Sequence, residues 1–170
     1  MSKKLATHLN AADIKNMDRV YRLRLINSIT GYKSANLLGT VNKNGVANLG
    51  TFSSVTHMGS HPPLVGFFMR PSTVPRHTLE NILSTKQYTI NHIAETFTDR
   101  AHYCSAKFDR SISEFEACGL TEWYDGQLVA PYVLESPIRL GMQLREKIDI
   151  PLNGTCLIIG EIQQIHLLTD

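Results

Sequence analysis

The stretch His61–Ile82, "HPPLVGFFMRPSTVPRHTLENI", leaves an apolar run through a loop carrying Arg70, Arg76 and His77, then enters a helical pattern at Thr78 and Asn81. Cations and hydroxyls at a helix start suit an anion. The first N–H groups of a helix lack partners there, and the dipole is positive at that end. If the chain turns at Pro75 and His77 or Thr78 caps the helix, then Arg76, His77 and Thr78 surround that start, and a phosphate would gain dipole, N–H and charge-assisted bonds together. A capped helix with surface arginines is the competing reading, although an arginine at a helix start opposes the dipole and asks for a reason.

Upstream, "NLGTFSSVTHMGS" sets Thr51, Ser53, Ser54 and Thr56 in a hydroxyl-rich turn. Such a turn presents hydroxyls and backbone N–H groups to a flat polar ring or a phosphate, or it bonds to itself and faces water. Downstream, "RAHYCSAKF" gathers Arg100, His102, Ser105 and Lys107, either lining a site or forming an ordinary amphipathic helix. His57 and His61 have the spacing of a helical metal pair, but Gly59, Ser60, Pro62 and Pro63 argue against a helix, so no metal site is expected. Dinucleotide, Walker, nucleophile-elbow and zinc-helix motifs are all missing from the sequence.

The elements that must position these groups read as mostly β. Ile14, Met17, Tyr21 and Leu25 predict a helix over residues 11–29, capped by Asn10 and possible to break near Tyr21. Asn44-Gly45 and Asn153-Gly154 are hairpin-turn signals, and Gly160 suggests a bulge or bend. Strands are expected near residues 35–41, 45–50, 63–69, 87–93, 128–133, 137–148 and 154–167, with a helix over 78–85 and short ones near 97–108 and 113–118. Ser111 and Glu114 have capping-box spacing, with Gly119 as the C-cap.

A chain of 170 residues with 42% hydrophobic content suits one domain. Seventeen Lys+Arg against 15 Asp+Glu leave a formal charge of +2, far from the basic balance of a nucleic-acid binder. Cys104, Cys118 and Cys156 form no CxxC pair, which fits buried thiols in a reducing cytoplasm. No leader-like or membrane-spanning apolar run is present in the sequence.

In order, "NLGTFSSV", "HPPLVGFFMRP", "RHTLENI", "YTINHI", "SEFEACGLT" and "GTCLIIGEIQQIHL" resemble the flavin reductase-like, FMN-binding split-barrel family, flavoredoxins included, from about residue 33 onward. The resemblance implies a mainly β fold: a six-stranded antiparallel Greek-key split barrel with short flanking helices. One domain would span residues 1–170, with residues 1–30 as a helical segment packing on the barrel. It implies a homodimer holding FMN near the subunit interface. By the same matching, Asn48, Thr51, Phe52, Ser53 and Ser54 would lie against the ring and phosphate side, with Thr78 and Asn81 in the flavin-binding region. Arg70, Arg76 and His77 would bond the phosphate, and Ser105 and Lys107 are further candidates.

Many members have Ala-Pro where this chain has Gly50-Thr51, and many continue beyond the strand matching residues 154–167. The implied activity is reduction of flavin by NADH or NADPH, with Thr51, Ser53 and Ser54 stabilising the reduced ring and no side chain assigned to acid or base chemistry. The alternatives are an FMN-binding electron-transfer module reduced by a redox protein partner, and a barrel without ligand serving as a structural dimer.

Overall fold

The computed structural model describes residues 8–71 and 76–168. Residues 1–33 and 34–170 form two compact units. In the first, Asn10 accepts the N–H groups of Ala12 and Asp13 at 2.8 and 3.0 Å, and the Asp13 carboxylate accepts the Asn10 N–H at 2.9 Å. This reciprocal cap starts α1 (Ala11–Asn16). A second cap, Asp18, accepts from Val20 and Tyr21 and starts α2 (Arg19–Ser28). The break therefore falls at Met17–Asp18, ahead of Tyr21, because the Asp18 carboxylate offers a fresh helix start.

The second unit opens with a hairpin, β1 (Asn36–Val41) and β2 (Ala47–Phe52), whose turn places Gly45 at φ +82°. Then follow β3 (Thr56–Ser60), β4 (Pro63–Met69), α3 (His77–Thr85) and β5 (Gln87–His92). A 3-10 turn over Glu95–Phe97 leads into α4 (Thr98–Tyr103) and α5 (Glu114–Cys118). A short ribbon, β6 (Glu122–Trp123) and β7 (Tyr132–Val133), precedes the long hairpin of β8 (Ile138–Ile150) and β9 (Thr155–Leu167). The β8–β9 turn carries Gly154 at φ +73°, as the Asn-Gly signal requires.

One antiparallel sheet has the order β2-β1-β5-β8-β9-β4-β3. Its two edge strands, β2 and β3, are joined by residues 53–55 alone, so the sheet must curl until its free edges meet at that turn. The result is a barrel split between β2 and β3. Seven strands form this sheet and hydrogen bonds do not close it, a correction to the expected six-stranded Greek-key barrel. The extra strand is β3, which the hydroxyl-rich reading of residues 51–60 hid and which pairs with β4. The strand expected at 128–133 shrinks to Tyr132–Val133, since Asp125 bends the chain through the N–H groups of Gln127 and Leu128 and Pro131 has no donor.

β1 is buried along its whole length because it separates two cores. Leu38 faces the barrel interior with Phe67, Ile82, Tyr88, Ile90, Met142 and Ile158, where Leu79 and Ile82 of α3 plug one side. Leu37 faces the outer core with Leu49, Phe97, Ala101 and Phe115, roofed by α4 and α5. Gly160 does more than bend β9. A Cβ there would lie 2.1 Å from the Tyr88 hydroxyl, so only glycine lets that ring fill the barrel. The β8–β9 register shifts fall between Gly141 and Met142 and between Leu144 and Glu146, the second directly opposite Gly160, where the sequence predicts a bulge or bend.

Candidate functional site

Three of the residues singled out in the sequence form a buried network between β2 and α3. Asn48 donates from Nδ2 to Glu114 Oε2 at 2.8 Å, and its Oδ1 accepts from the Thr78 hydroxyl at 3.3 Å. Asn81 Nδ2 donates to the Thr40 hydroxyl at 3.1 Å, and Thr40 in turn reaches Asn48 Oδ1 at 3.5 Å. Glu114 Oε2 also accepts the Leu49 N–H at 3.0 Å. All five side chains are buried. The network clamps β1, β2, α3 and α5 together.

Glu114 and Thr40 were not foreseen as site residues. The expected Ser111–Glu114 capping box does not form: Ser113 occupies the N-cap, Ser111 bonds Asp109, and the Glu114 carboxylate points inward instead. Nothing in the sequence marked Glu114 for such a role, since Arg110 four residues earlier offers the partner of an ordinary solvated glutamate. Gly119 does end α5 in the left-handed conformation.

Beside this network lies a cleft lined by Asn48, His77, Asn81, Arg110, Ile112 and Glu114, with a free volume of about 10 Å³. That is room for one water and not for an aromatic ring. Any larger ligand must lie on the open face.

On that face the β2–β3 turn is firmly held. The Thr51 hydroxyl donates to the Ala101 carbonyl of α4 at 2.9 Å. Phe52 meets Phe67 edge to face at 5.1 Å between ring centroids. Ser54 Oγ accepts the Phe68 N–H at 3.1 Å and donates to the Phe68 carbonyl at 3.3 Å, lacing the turn to β4. Ser53 is exposed, and no hydrogen bond holds its hydroxyl among the described residues.

At the other end, α3 begins with His77 after Arg76, and no side chain caps it. Arg76 donates from Nη2 to the Pro71 carbonyl at 3.4 Å, while its Nε is buried without an acceptor among the described residues. The expected turn at Pro75 lies outside the described residues. Arg70 stands exposed after β4.

The segment after α4 spans these two ends. It leaves the Ala101 contact with Thr51, carries exposed Ser105 and Lys107, and reaches the first turn of α3, where Arg110 pairs with Glu80. Asp109 is held below the usual carboxylate range by the Ser111 N–H and hydroxyl, with the His77 charge adding to this. Burial pushes the Cys104 thiol up, and a bond with Cys118 adds to the shift, so neither is a reactive thiolate. His57 sits on β3 and His61 in the following turn, so no helix pairs them.

Residues 30–170 match the model of the flavin reductase like domain. The chain belongs to the flavin reductase-like family. Its fold superposes with TM-score 0.93 on a protein from Shewanella frigidimarina assigned as a flavin reductase with a split barrel domain; identity is 42%, covering 97% of this chain and 82% of that one. The 2-nitrobenzoate 2-nitroreductase of Pseudomonas fluorescens gives TM-score 0.82 at 25% identity, over 95% of this chain and 77% of that one. An uncharacterized protein of Aquifex aeolicus is 23% identical over 87% of this chain and 76% of its own length. Membership in the flavin reductase-like family gives the chain a flavin-related oxidoreductase role. No helix among the described residues is long and apolar enough to cross a membrane.

Proposed function

We propose that the chain binds FMN along the open face from the β2–β3 turn to the start of α3, and that NADH or NADPH reduces it there. The start of α3 carries this reading. Among the described residues its first N–H groups have no side-chain cap, and Arg76 stands beside them with a buried Nε that finds no acceptor. A phosphate monoester meets both needs. Arg70, His77, Ser105 and Lys107 add charge and hydroxyls around it.

Thr51, Phe52, Ser53 and Ser54 form the platform for the flavin ring, made rigid by the Ala101, Phe67 and Phe68 contacts. Bound FMN supplies the two-electron acceptor. The chain's part is to align the nicotinamide with the ring and to turn N–H donors of the turn and the Ser53 hydroxyl toward the side where negative charge develops, while the Thr51 and Ser54 hydroxyls, bonded to the Ala101 and Phe68 carbonyls, hold the turn in shape. Asn48, Thr78 and Asn81 act as positioning residues: the Thr78–Asn48 bond and the chain from Asn81 through Thr40 to Asn48 fix β2 and β1 against α3 and so set the distance between ring platform and phosphate site.

A homodimer completes the site. Phe68, Leu157 and Ile148 are cross-strand neighbours on the outer face of β4, β9 and β8, and Phe68 and Ile148 are 45% and 41% exposed. Met58 of β3 packs beside this row, over Gly66. Because Ser54 is bonded to the Phe68 backbone, a second copy seated on the row would reach the flavin face.

Anaerobic stopped-flow mixing of the FMN-saturated protein with NADH and with NADPH tests the activity. The expected result is loss of oxidised-flavin absorbance with at least one donor. An unbleached flavin with both would remove the reductase reading.

A further inference from the structure

The outer face of β8 and β9 carries a second polar group that the flavin reading leaves unused. Arg139 and His166 are register partners on these strands, and the β6–β7 ribbon and its loop bring Trp123, Asp125 and Tyr132 against them. The rings pack closely: Trp123–His166 centroids are 4.9 Å apart, Tyr132–His166 5.0 Å and Trp123–Tyr132 5.3 Å. Gly141 makes this possible, since a Cβ there would come within 2.4 Å of the Tyr132 hydroxyl. Asp125 is fully engaged. Its Oδ2 accepts from the Tyr132 hydroxyl at 3.0 Å and lies 3.0 Å from His166 Nε2, while Oδ1 accepts from two backbone N–H groups.

Among the described residues Arg139 has no such partner. It is only 6% exposed, and its guanidinium carbon lies 4.7 Å from the centroid of the Trp123 ring. Its Nε is sealed from solvent without an acceptor, and among the described residues no carboxylate lies within ion-pair distance. The indole face offsets part of the charge but satisfies none of the in-plane N–H donors. Buried arginines are ordinarily matched by an anion, since an unpaired charge out of water is costly.

With one guanidinium face on the indole and Nε sealed, the donors left over are those of the two Nη atoms, whose outer edge takes a carboxylate through two parallel bonds. Asp125 already places one negative charge nearby, which favours a monoanion over a phosphate dianion. The part-exposed Trp123 and His166 rings suit a flat body behind that charge.

We propose that this face, where β8–β9 meets the β6–β7 ribbon, binds a small aromatic or otherwise planar carboxylate through the Arg139 guanidinium stacked on Trp123. Trp123 is the one tryptophan in the sequence and reports directly on the site. The full chain is titrated with benzoate and with its neutral counterpart benzamide, following tryptophan emission and, in parallel, heat by calorimetry. The expected result is saturable binding of benzoate, with benzamide weaker by about tenfold or more. Arg139→Met should abolish the benzoate response, and Arg139→Lys should restore it only in part.

If Arg139→Met does not fold, the benzoate and benzamide comparison on the unaltered protein still decides. Equal binding of the two would mean ring stacking alone and would overturn the proposal, as would no saturable response at millimolar benzoate. Calorimetry repeated with FMN present should give the same benzoate affinity. Displacement by FMN would put the anion at the α3 cations instead.

Discussion

Arg76 and Glu114 show how two charged residues near one helix divide the labour. Arg76 keeps a buried Nε without an acceptor at the start of α3, so its contribution is expected only when an anion is present. Arg76→Ala should weaken FMN by about 1–3 kcal/mol and leave riboflavin, which lacks the phosphate, unchanged; flavin-fluorescence titration reads both. Glu114 instead serves the scaffold. Glu114→Ala strands the Asn48 amide and the Leu49 N–H in a buried setting, and should lower the unfolding free energy in urea by about 1–3 kcal/mol. Glu114→Gln keeps one acceptor oxygen and should lose less.

Among the elements, the β6–β7 ribbon depends most on a single side chain. Burial acts to raise the pKa of Asp125, but the N–H groups of Gln127 and Leu128, with His166 and Tyr132, outweigh it and leave the value below the ordinary 3.8 of an aspartate. A depressed folded-state pKa contributes stability that is complete above the unfolded value and is lost as pH falls through the folded one. The stability gap between the unaltered protein and Asp125→Asn should therefore be widest near neutral pH and narrow below about pH 3.8, as urea unfolding at several pH values would show. A gap independent of pH would mean that the side chain's shape, rather than its charge, holds the ribbon. α3 is bound differently: Leu79 and Ile82 anchor it in the barrel, so its N-terminus stays fixed whether or not a phosphate is present.

For the whole molecule, the split in the barrel and the apolar row outside it belong to one design. The sheet opens between β2 and β3, the turn between them is the proposed ring platform, and Phe68, Leu157 and Ile148 run outward from the strand that the turn is laced to. Light scattering after size exclusion should find a species of twice the 19.0 kDa chain mass. Phe68→Glu together with Ile148→Glu should shift it to monomer and weaken FMN, since the second copy would no longer cover the face. A dimer that survives both changes would place the interface elsewhere.

By itself the sequence determined the local elements. Apolar alternation and Asn-Gly turns marked both long hairpins, the 61–82 stretch marked strand, loop and helix start, and the ordered motifs marked the family. These are short-range signals, written within a turn or two of the residues concerned. Tertiary structure decided which polar groups face each other and which stay exposed. Asn48, Thr78 and Asn81 look the same in sequence whether they bond a cofactor or one another, and the choice rests on Glu114, 66 residues from Asn48. β3 was hidden because an edge strand needs no apolar face of its own once β4 offers its backbone. Arg139 was silent too, since only folding lays Trp123 over it and leaves its edge without a partner.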